Sequence, residues 1–292
     1  MLQQQFRCIL FVLLPLLLPA ADGLPIEGIA HVSFRVSDLG RARGFYEGVL
    51  GYPEAFRTGE GRQSAAYFKV NDAQFVRIVP NLGEDEDERL DEIALESRDV
   101  ERLHRLLSER GLDPSPVSAG EAGAKSFVLT DPDGHRIRFV EYTPDSLQMS
   151  IRGRFLGPKR ISTHLRHTGV TVADERRADA FWKDKLGFTE IWRGGPDAGT
   201  VRWVNVKMPG ARGDYIEYML HDEPPNRNQL GSMHHICLEV ADIQEAYRRV
   251  VMRGYPDADG ARPRIGRIRK WLFSVFDPDG SRTEYMEPGT VD

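Results

Sequence analysis

Residues 31–52 read HVSFRVSDLGRARGFYEGVLGY, and residues 167–188 read HTGVTVADERRADAFWKDKLGF. Set one over the other, 136 positions apart, they share an opening His, an apolar strand-like run, an Asp, an aromatic pair and a closing Leu-Gly-aromatic. Asp caps a helix start because its carboxylate accepts from the free N–H groups of the first turn. Gly closes a helix because the chain there turns left-handed. The same punctuation occurs four times, at Asp38…Gly51, Asp99…Gly111, Asp174…Gly187 and Asp242…Gly254, with spacings of 13, 12, 13 and 12. The even units match each other at an offset of 143, where Ile93, Leu95, Glu96, Asp99 and Gly111 recur as Ile236, Leu238, Glu239, Asp242 and Gly254. Asp-Pro-Asp-Gly stands at 131–134 and again at 277–280, the composition of a tight turn between strands. The chain is a duplicated pair of small modules.

Each module reads as strand, helix, then two or three strands. The fold class is therefore α+β, with four βαβββ modules in two paired-module domains. The expected boundaries are 24–146 for the first pair, 147–163 for a linker and 164–292 for the second pair. The acidic run Glu84–Glu88 reads as a solvated connection between the first two modules.

The chain has 292 residues, with 40% hydrophobic and 28% charged residues and a formal net charge of −5. These values suit a globular protein of two domains and give nucleic-acid binding no electrostatic support. The N-terminus differs in kind. Arg7, the apolar run Cys8–Leu18 and the small residues Ala20 and Ala21 read as a secretory signal peptide over residues 1–23. The run is short for a membrane span, so the expectation is an exported protein with no stable span after cleavage. An uncleaved anchor is the alternative. A mature chain would keep Cys237 alone, so no internal disulfide is available.

Strand periodicity assigns the faces. Ile236, Leu238 and Val240 share one face and His235, Cys237 and Glu239 the other. Thr168, Val170 and Val172 oppose His167, Gly169 and Thr171. Glu217 shares its face with Tyr215 and Met219, and Glu284 with Arg282 and Met286. Two His and two Glu thus project from strands on faces left free by helices. His234 can replace His235, but it falls on the apolar phase of its strand.

With paired modules, a His in an opening strand and Asp-Pro-Asp-Gly-x-x-x-Glu at the end, residues 26–290 resemble the vicinal oxygen chelate superfamily. That group includes glyoxalase I, epimerases, fosfomycin-resistance proteins and extradiol dioxygenases. The resemblance implies metal ligands at His167, Glu217, His235 and Glu284 and one divalent transition metal ion: Ni, Co, Zn, Fe or Mn. A His-Glu-His-Glu set is most similar to bacterial glyoxalase I, whereas extradiol dioxygenases use two His and the last Glu. Imidazoles and carboxylates suit such ions, and positions left on the ion can take neighbouring substrate oxygens.

Three readings follow. In a glyoxalase I-like lyase or isomerase, Glu217 or Glu284 would be the base in an enediolate-type reaction. In an Fe(II) extradiol-type dioxygenase, His221 would be the acid–base residue. In a non-catalytic exported binding protein, the cleft would only sequester a small molecule. The basic loop Gly266–Lys270 matches a loop that holds an anionic substrate in glyoxalase I, which points to Arg267, Arg269 and Lys270. The expected partner is a small molecule, and a homodimer is left open.

The first half departs from the pattern. His31 matches His167, but Glu92 stands where His235 does, Arg138 stands where Glu284 does, and Gln74–Arg77 offers no acid. An Arg in place of a carboxylate repels a cation, so the N-terminal pair is expected to lack a working metal site.

Overall fold

The computed structural model describes residues 23–61, 64–120 and 122–291. The signal-peptide reading of residues 1–23 falls, but for Gly23, outside these described residues. No helix among them is long and apolar enough to cross a membrane.

Among the described residues, the N-terminal half has eight strands: β1 (Ile26–Arg35), β2 (Glu54–Thr58), β3 (Ala65–Lys69), β4 (Phe75–Val79), β5 (Leu90–Ser97), β6 (Ser118–Ala119), β7 (Lys125–Thr130) and β8 (Arg136–Glu141). The C-terminal half repeats them as β9 (His164–Val172), β10 (Thr189–Gly194), β11 (Trp203–Lys207), β12 (Tyr215–Leu220), β13 (His235–Glu239), β14 (Arg264–Ile265), β15 (Trp271–Phe276) and β16 (Arg282–Met286). The strand orders are β2-β3-β4-β1-β5-β8-β7-β6 and β10-β11-β12-β9-β13-β16-β15-β14, so the two halves share one topology. In each, the opening strands of the two modules pair antiparallel at the centre. Each opening strand then pairs in parallel with the closing strand of its own module. The four modules expected from the repeats are present in two paired-module sheets.

The caps explain why the helices start and stop where they do. Asp38, Asp99, Asp174 and Asp242 each accept from a first-turn backbone N–H. Gly51, Gly111, Gly187 and Gly254 have φ of 84°, 76°, 72° and 91°, a left-handed conformation that a Cβ disfavours. The odd-module helices are α-helical only at first, over Leu39–Arg43 and Glu175–Asp179. They then widen into π-turns over Gly44–Val49 and Ala180–Lys185.

Helices and one face of each sheet enclose a core that runs through both halves. It includes Phe34, Tyr46, Phe139, Trp182, Tyr218 and Tyr285. The opposite faces are left open as clefts. The segment 147–163 is held against the N-terminal sheet rather than spanning solvent. It begins with a helical turn, Leu147–Ser150, and Lys69 Nζ donates to the Ile151 and Arg154 carbonyls at 2.8 and 2.9 Å. Across the halves, the buried Asp214 accepts from the Ile29 N–H at 2.9 Å and Gln74 Nε2 at 3.1 Å, and lies 2.6 Å from His164 Nε2.

Candidate metal centre

The register of the C-terminal sheet sets its four central strands into rows. One row runs Glu217, Gly169, His235 and Arg282 across β12, β9, β13 and β16. The row two residues away runs Tyr215, His167, Cys237 and Glu284. Side chains two apart on a strand share a face, so both rows line the same cleft. Glu217 and His235 flank the side-chain-free Gly169, and His167 and Glu284 flank the small Cys237.

The four residues converge. His167 Nε2 and His235 Nε2 are 3.2 Å apart. Glu217 Oε2 lies 3.2 Å from His235 Nε2 and 3.7 Å from His167 Nε2. Glu284 Oε1 lies 3.8 Å from His167 Nε2. Cys237 joins His167 and Glu284 in a second grouping with metal-ligand spacing. The His235 Nδ1 lies 2.9 Å from the Met233 carbonyl and 2.7 Å from Arg282 Nη2, and these contacts hold the ring with its Nε2 at the shared point. His167 stacks on Tyr215 at 4.4 Å between ring centroids, and its buried Nδ1 has no hydrogen-bond partner.

Burial dominates the electrostatics. It holds the His167 imidazole well below its ordinary range, partly offset by Glu217. Burial and then the Arg282 guanidinium push His235 down to about 3. Burial and then Glu284 push the Cys237 thiol up. Both imidazoles are therefore neutral at pH 7, with two carboxylates against them. The Arg282 guanidinium borders the cluster, with its Nη2 2.7 Å from His235 Nδ1 and its Nη1 3.9 Å from Glu284 Oε2. Neutral imidazole nitrogens and carboxylate oxygens around one point form the donor set of a divalent transition metal ion, and these residues fit one.

The cleft above the cluster has a volume of about 420 Å³. Trp192 and Trp203 give it aromatic walls, and Asn205, Arg264, Arg267 and Arg282 give it polar groups. The other basic-loop residues lie elsewhere. Arg269 has φ of 59°, donates from Nε to the Val291 carbonyl at 2.8 Å, and borders a separate shallow depression. Lys270 is half-buried, with its ammonium shifted down by burial, and is not part of the cleft lining. His221 follows β12 four residues beyond Glu217, roughly 13 Å along an extended chain, and does not line the cleft. His234 faces the junction between the halves and bonds to Glu88.

Sequence reasoning missed Trp192, Trp203, Asn205 and Arg264 as lining residues, and gave no role to Arg282. Arg282 carried a signal, because it stands two residues before Glu284 and so shares its face. Asn205 pairs with Glu217 in the sheet and could be placed only once β11 was aligned.

The N-terminal sheet repeats both rows with different chemistry. Arg77, Ser33, Glu92 and Arg136 match Glu217, Gly169, His235 and Arg282. Phe75, His31, Ala94 and Arg138 match Tyr215, His167, Cys237 and Glu284. Glu92 is 3.1 Å from His31 Nε2 and accepts from Arg136 Nε at 3.0 Å and Arg138 Nη2 at 2.9 Å. Arg77 Nη1 is 2.7 Å from Asp91. Here guanidiniums occupy the places of two carboxylates, and an internal ion cluster fills the space. The remaining cavity is about 60 Å³.

Residues 28–139 and 164–285 each match the family described as the Glyoxalase/Bleomycin resistance protein/Dioxygenase superfamily. A curated relative, the ethylmalonyl-CoA/methylmalonyl-CoA epimerase of Cereibacter sphaeroides, is 27% identical over 121 residues, covering 39% of this chain and 89% of its own. Among solved structures, the 2,3-dioxygenase LapB from Pseudomonas sp. KL28 is similar with a TM-score of 0.67 and 21% identity, over 91% of this chain and 93% of that one. The Mn(II)-bound glyoxalase from Novosphingobium aromaticivorans is similar with a TM-score of 0.66 and 21% identity, over 90% of this chain and 82% of that one. The homoprotocatechuate 2,3-dioxygenase from Brevibacterium fuscum, as its E323L mutant, is similar with a TM-score of 0.66 and 19% identity, over 92% and 73%. At these identities the solved structures speak for the fold.

Proposed function

The chain belongs to the Glyoxalase/Bleomycin resistance protein/Dioxygenase superfamily, and from that premise we propose that its C-terminal cleft is the centre of a metal-dependent lyase or isomerase of the glyoxalase type. The observation that carries this reading is Glu217. It stands within 3.7 Å of both imidazole Nε2 atoms and makes a fourth donor beside His167, His235 and Glu284. A facial triad of two His and one carboxylate is the set expected of a non-haem Fe(II) oxygenase, and the second carboxylate departs from it. A divalent ion bound there would act as a Lewis acid toward two neighbouring substrate oxygens. The chain's residues would do the rest. Glu217 or Glu284 takes a proton from one carbon and returns it to its neighbour. Trp192 and Trp203 exclude water from that carbon, and Arg264 and Arg267 hold an anionic group. The epimerase relative, whose printed name describes inversion at a carbon, supports proton-shuttling chemistry.

The second reading is an Fe(II) extradiol-type dioxygenase. It is favoured by the four-module layout shared with LapB over nine-tenths of both chains. One experiment separates the two. The purified chain is analysed for metal, then screened against anionic α-hydroxycarbonyls, hemithioacetals and acyl thioesters, and against catechols in an oxygen electrode. Turnover without oxygen uptake, with metal lost in Glu217→Gln, supports the first reading. Catechol cleavage with oxygen uptake, with iron kept in Glu217→Gln, replaces it. Export rests on the N-terminal apolar run alone and is tested by the compartment and the N-terminal residue of the mature chain.

A further inference from the structure

A second pair of imidazoles meets where the two halves join. The Asp-Pro-Asp-Gly turn between β7 and β8 ends at His135, whose Nδ1 lies 2.8 Å from Asp131 Oδ2. His234, at the start of β13, has its Nδ1 2.8 Å from Glu88 Oε1. Each ring thus gives its Nδ1–H to a carboxylate, which leaves an Nε2 lone pair on each. Those Nε2 atoms are 3.2 Å apart, and Thr171 Oγ1 lies 3.1 Å from one and 3.0 Å from the other. His135, Thr171 and His234 are all buried. The Thr171 hydroxyl has one proton and can donate to only one of these nitrogens, so the buried Nε2 pair calls for a proton or a cation between the rings.

We propose that His135, His234 and Thr171 supply three donors of a second divalent-cation site that clamps the N-terminal half to the C-terminal half. The three donor atoms form a triangle with sides of 3.0, 3.1 and 3.2 Å. A tetrahedral ion with bonds of about 2.0 Å needs donor separations of about 3.3 Å. The candidate catalytic pair, His167 and His235, has the same arrangement: Nε2 atoms 3.2 Å apart and rings crossed at 87°, against 88° for His135 and His234. Carboxylates behind ligating imidazoles fix the tautomer and raise ring basicity, and Asp131 and Glu88 do both while balancing the ion's charge. The fold itself does not call for these rings. At the matching place in the second repeat, Asp277 is followed by Ser281 in place of His135, and Asp277 accepts from the Tyr46 hydroxyl at 3.1 Å. Glu88, Asp131 and His135 come from one half and Thr171 and His234 from the other, so a bound ion would tie the halves together.

The test counts ions in a background whose cleft site is disabled, so that it is independent of the proposed function. Full-length His167→Ala/Glu284→Gln protein is stripped with a chelator, loaded with excess Zn²⁺, desalted and measured for zinc per chain. That variant should retain one Zn²⁺, and adding His135→Gln should reduce the count to zero. Zn²⁺ should raise the melting temperature of the first protein and leave the second unchanged. Equal zinc in the two proteins, or none in the first, overturns the proposal and leaves a single proton shared between the rings. If the triple variant shows no cooperative melt, the same count on the background carrying Thr171→Val decides: loss of the ion supports the site and an unchanged count overturns it.

Discussion

Gly169 lies directly across β9 and β13 from His235, and a Cβ at Gly169 would stand 2.2 Å from the imidazole Cε1 and Nδ1. The ring can fold toward His167 only because this position carries no side chain. In the N-terminal sheet, Ser33 takes the matching place, and there Glu92 stands opposite rather than a ring. Gly169→Ala is therefore expected to push His235 off the shared point. Divalent-metal affinity should fall at least tenfold, and overpacking should cost about 1–3 kcal/mol of stability. Metal titration and urea denaturation check both. A Gly169→Ala protein that binds metal like the parent would remove the steric argument.

The N-terminal cluster makes the opposite prediction. Glu92 is the shared partner of His31, Arg136 and Arg138; burial alone would raise its carboxyl, and the His31 and Arg138 contacts outweigh it and hold it well below the usual range. Glu92→Gln leaves the Arg138 guanidinium part-buried without its carboxylate. Breaking a fully buried pair costs about 3–5 kcal/mol, and partial exposure of both Arg side chains lowers the expectation to about 2 kcal/mol. Metal content should not change, nor should it in His31→Ala. Loss of an ion in either variant would mean that the N-terminal cleft is not degenerate.

Acid should destabilise the metal-free protein through His235. Its pKa is lowered from 6.5 to about 3, so between those values the unfolded chain binds a proton that the folded chain does not. The stability this group contributes is fully present above pH 6.5 and is lost as pH falls toward 3. His167 is shifted in the same direction and adds to the slope. Chemical denaturation of the metal-free chain from pH 7 to 4 should show stability falling by a few kcal/mol. The fall should be shallower in His235→Gln, and an identical slope would show that His235 is not buried neutral.

Much of this arrangement is legible in the sequence because it rests on local rules. Asp caps, left-handed Gly and the two-residue strand period fix the modules and the faces of His167, Glu217, His235 and Glu284. What is not legible depends on contacts between distant segments. His135 and His234 are 99 residues apart and meet only because the halves dock, and Glu88 reads as part of a solvated acidic run until His234 is placed beside it. Trp192 and Trp203 belong to β10 and β11, whose register carries an irregularity between Glu190 and Trp192, so simple alternation does not place them.

The basic loop shows the same limit and gives the last prediction. Alternation along Arg267, Ile268 and Arg269 would put both arginines on one face, and the sequence treats them as equivalent. The left-handed turn at Arg269 breaks that alternation and ties its guanidinium to the Val291 carbonyl, while Arg267 stays in the cleft wall with Arg264. A charge-assisted hydrogen bond to an anionic substrate contributes about 1.5–3 kcal/mol. Arg267→Ala should therefore raise KM or Kd for an anionic substrate roughly ten- to a hundredfold. Arg269→Ala should change it by less than about twofold, within the range of an exposed surface substitution. Both variants should keep the parent's metal content, since neither residue reaches the His–Glu cluster. Steady-state kinetics on whichever anionic compound turns over, with metal analysis alongside, make the comparison. Equal effects from the two substitutions would show that the loop rearranges around the substrate, and no effect from Arg267→Ala would remove the anion from the substrate class.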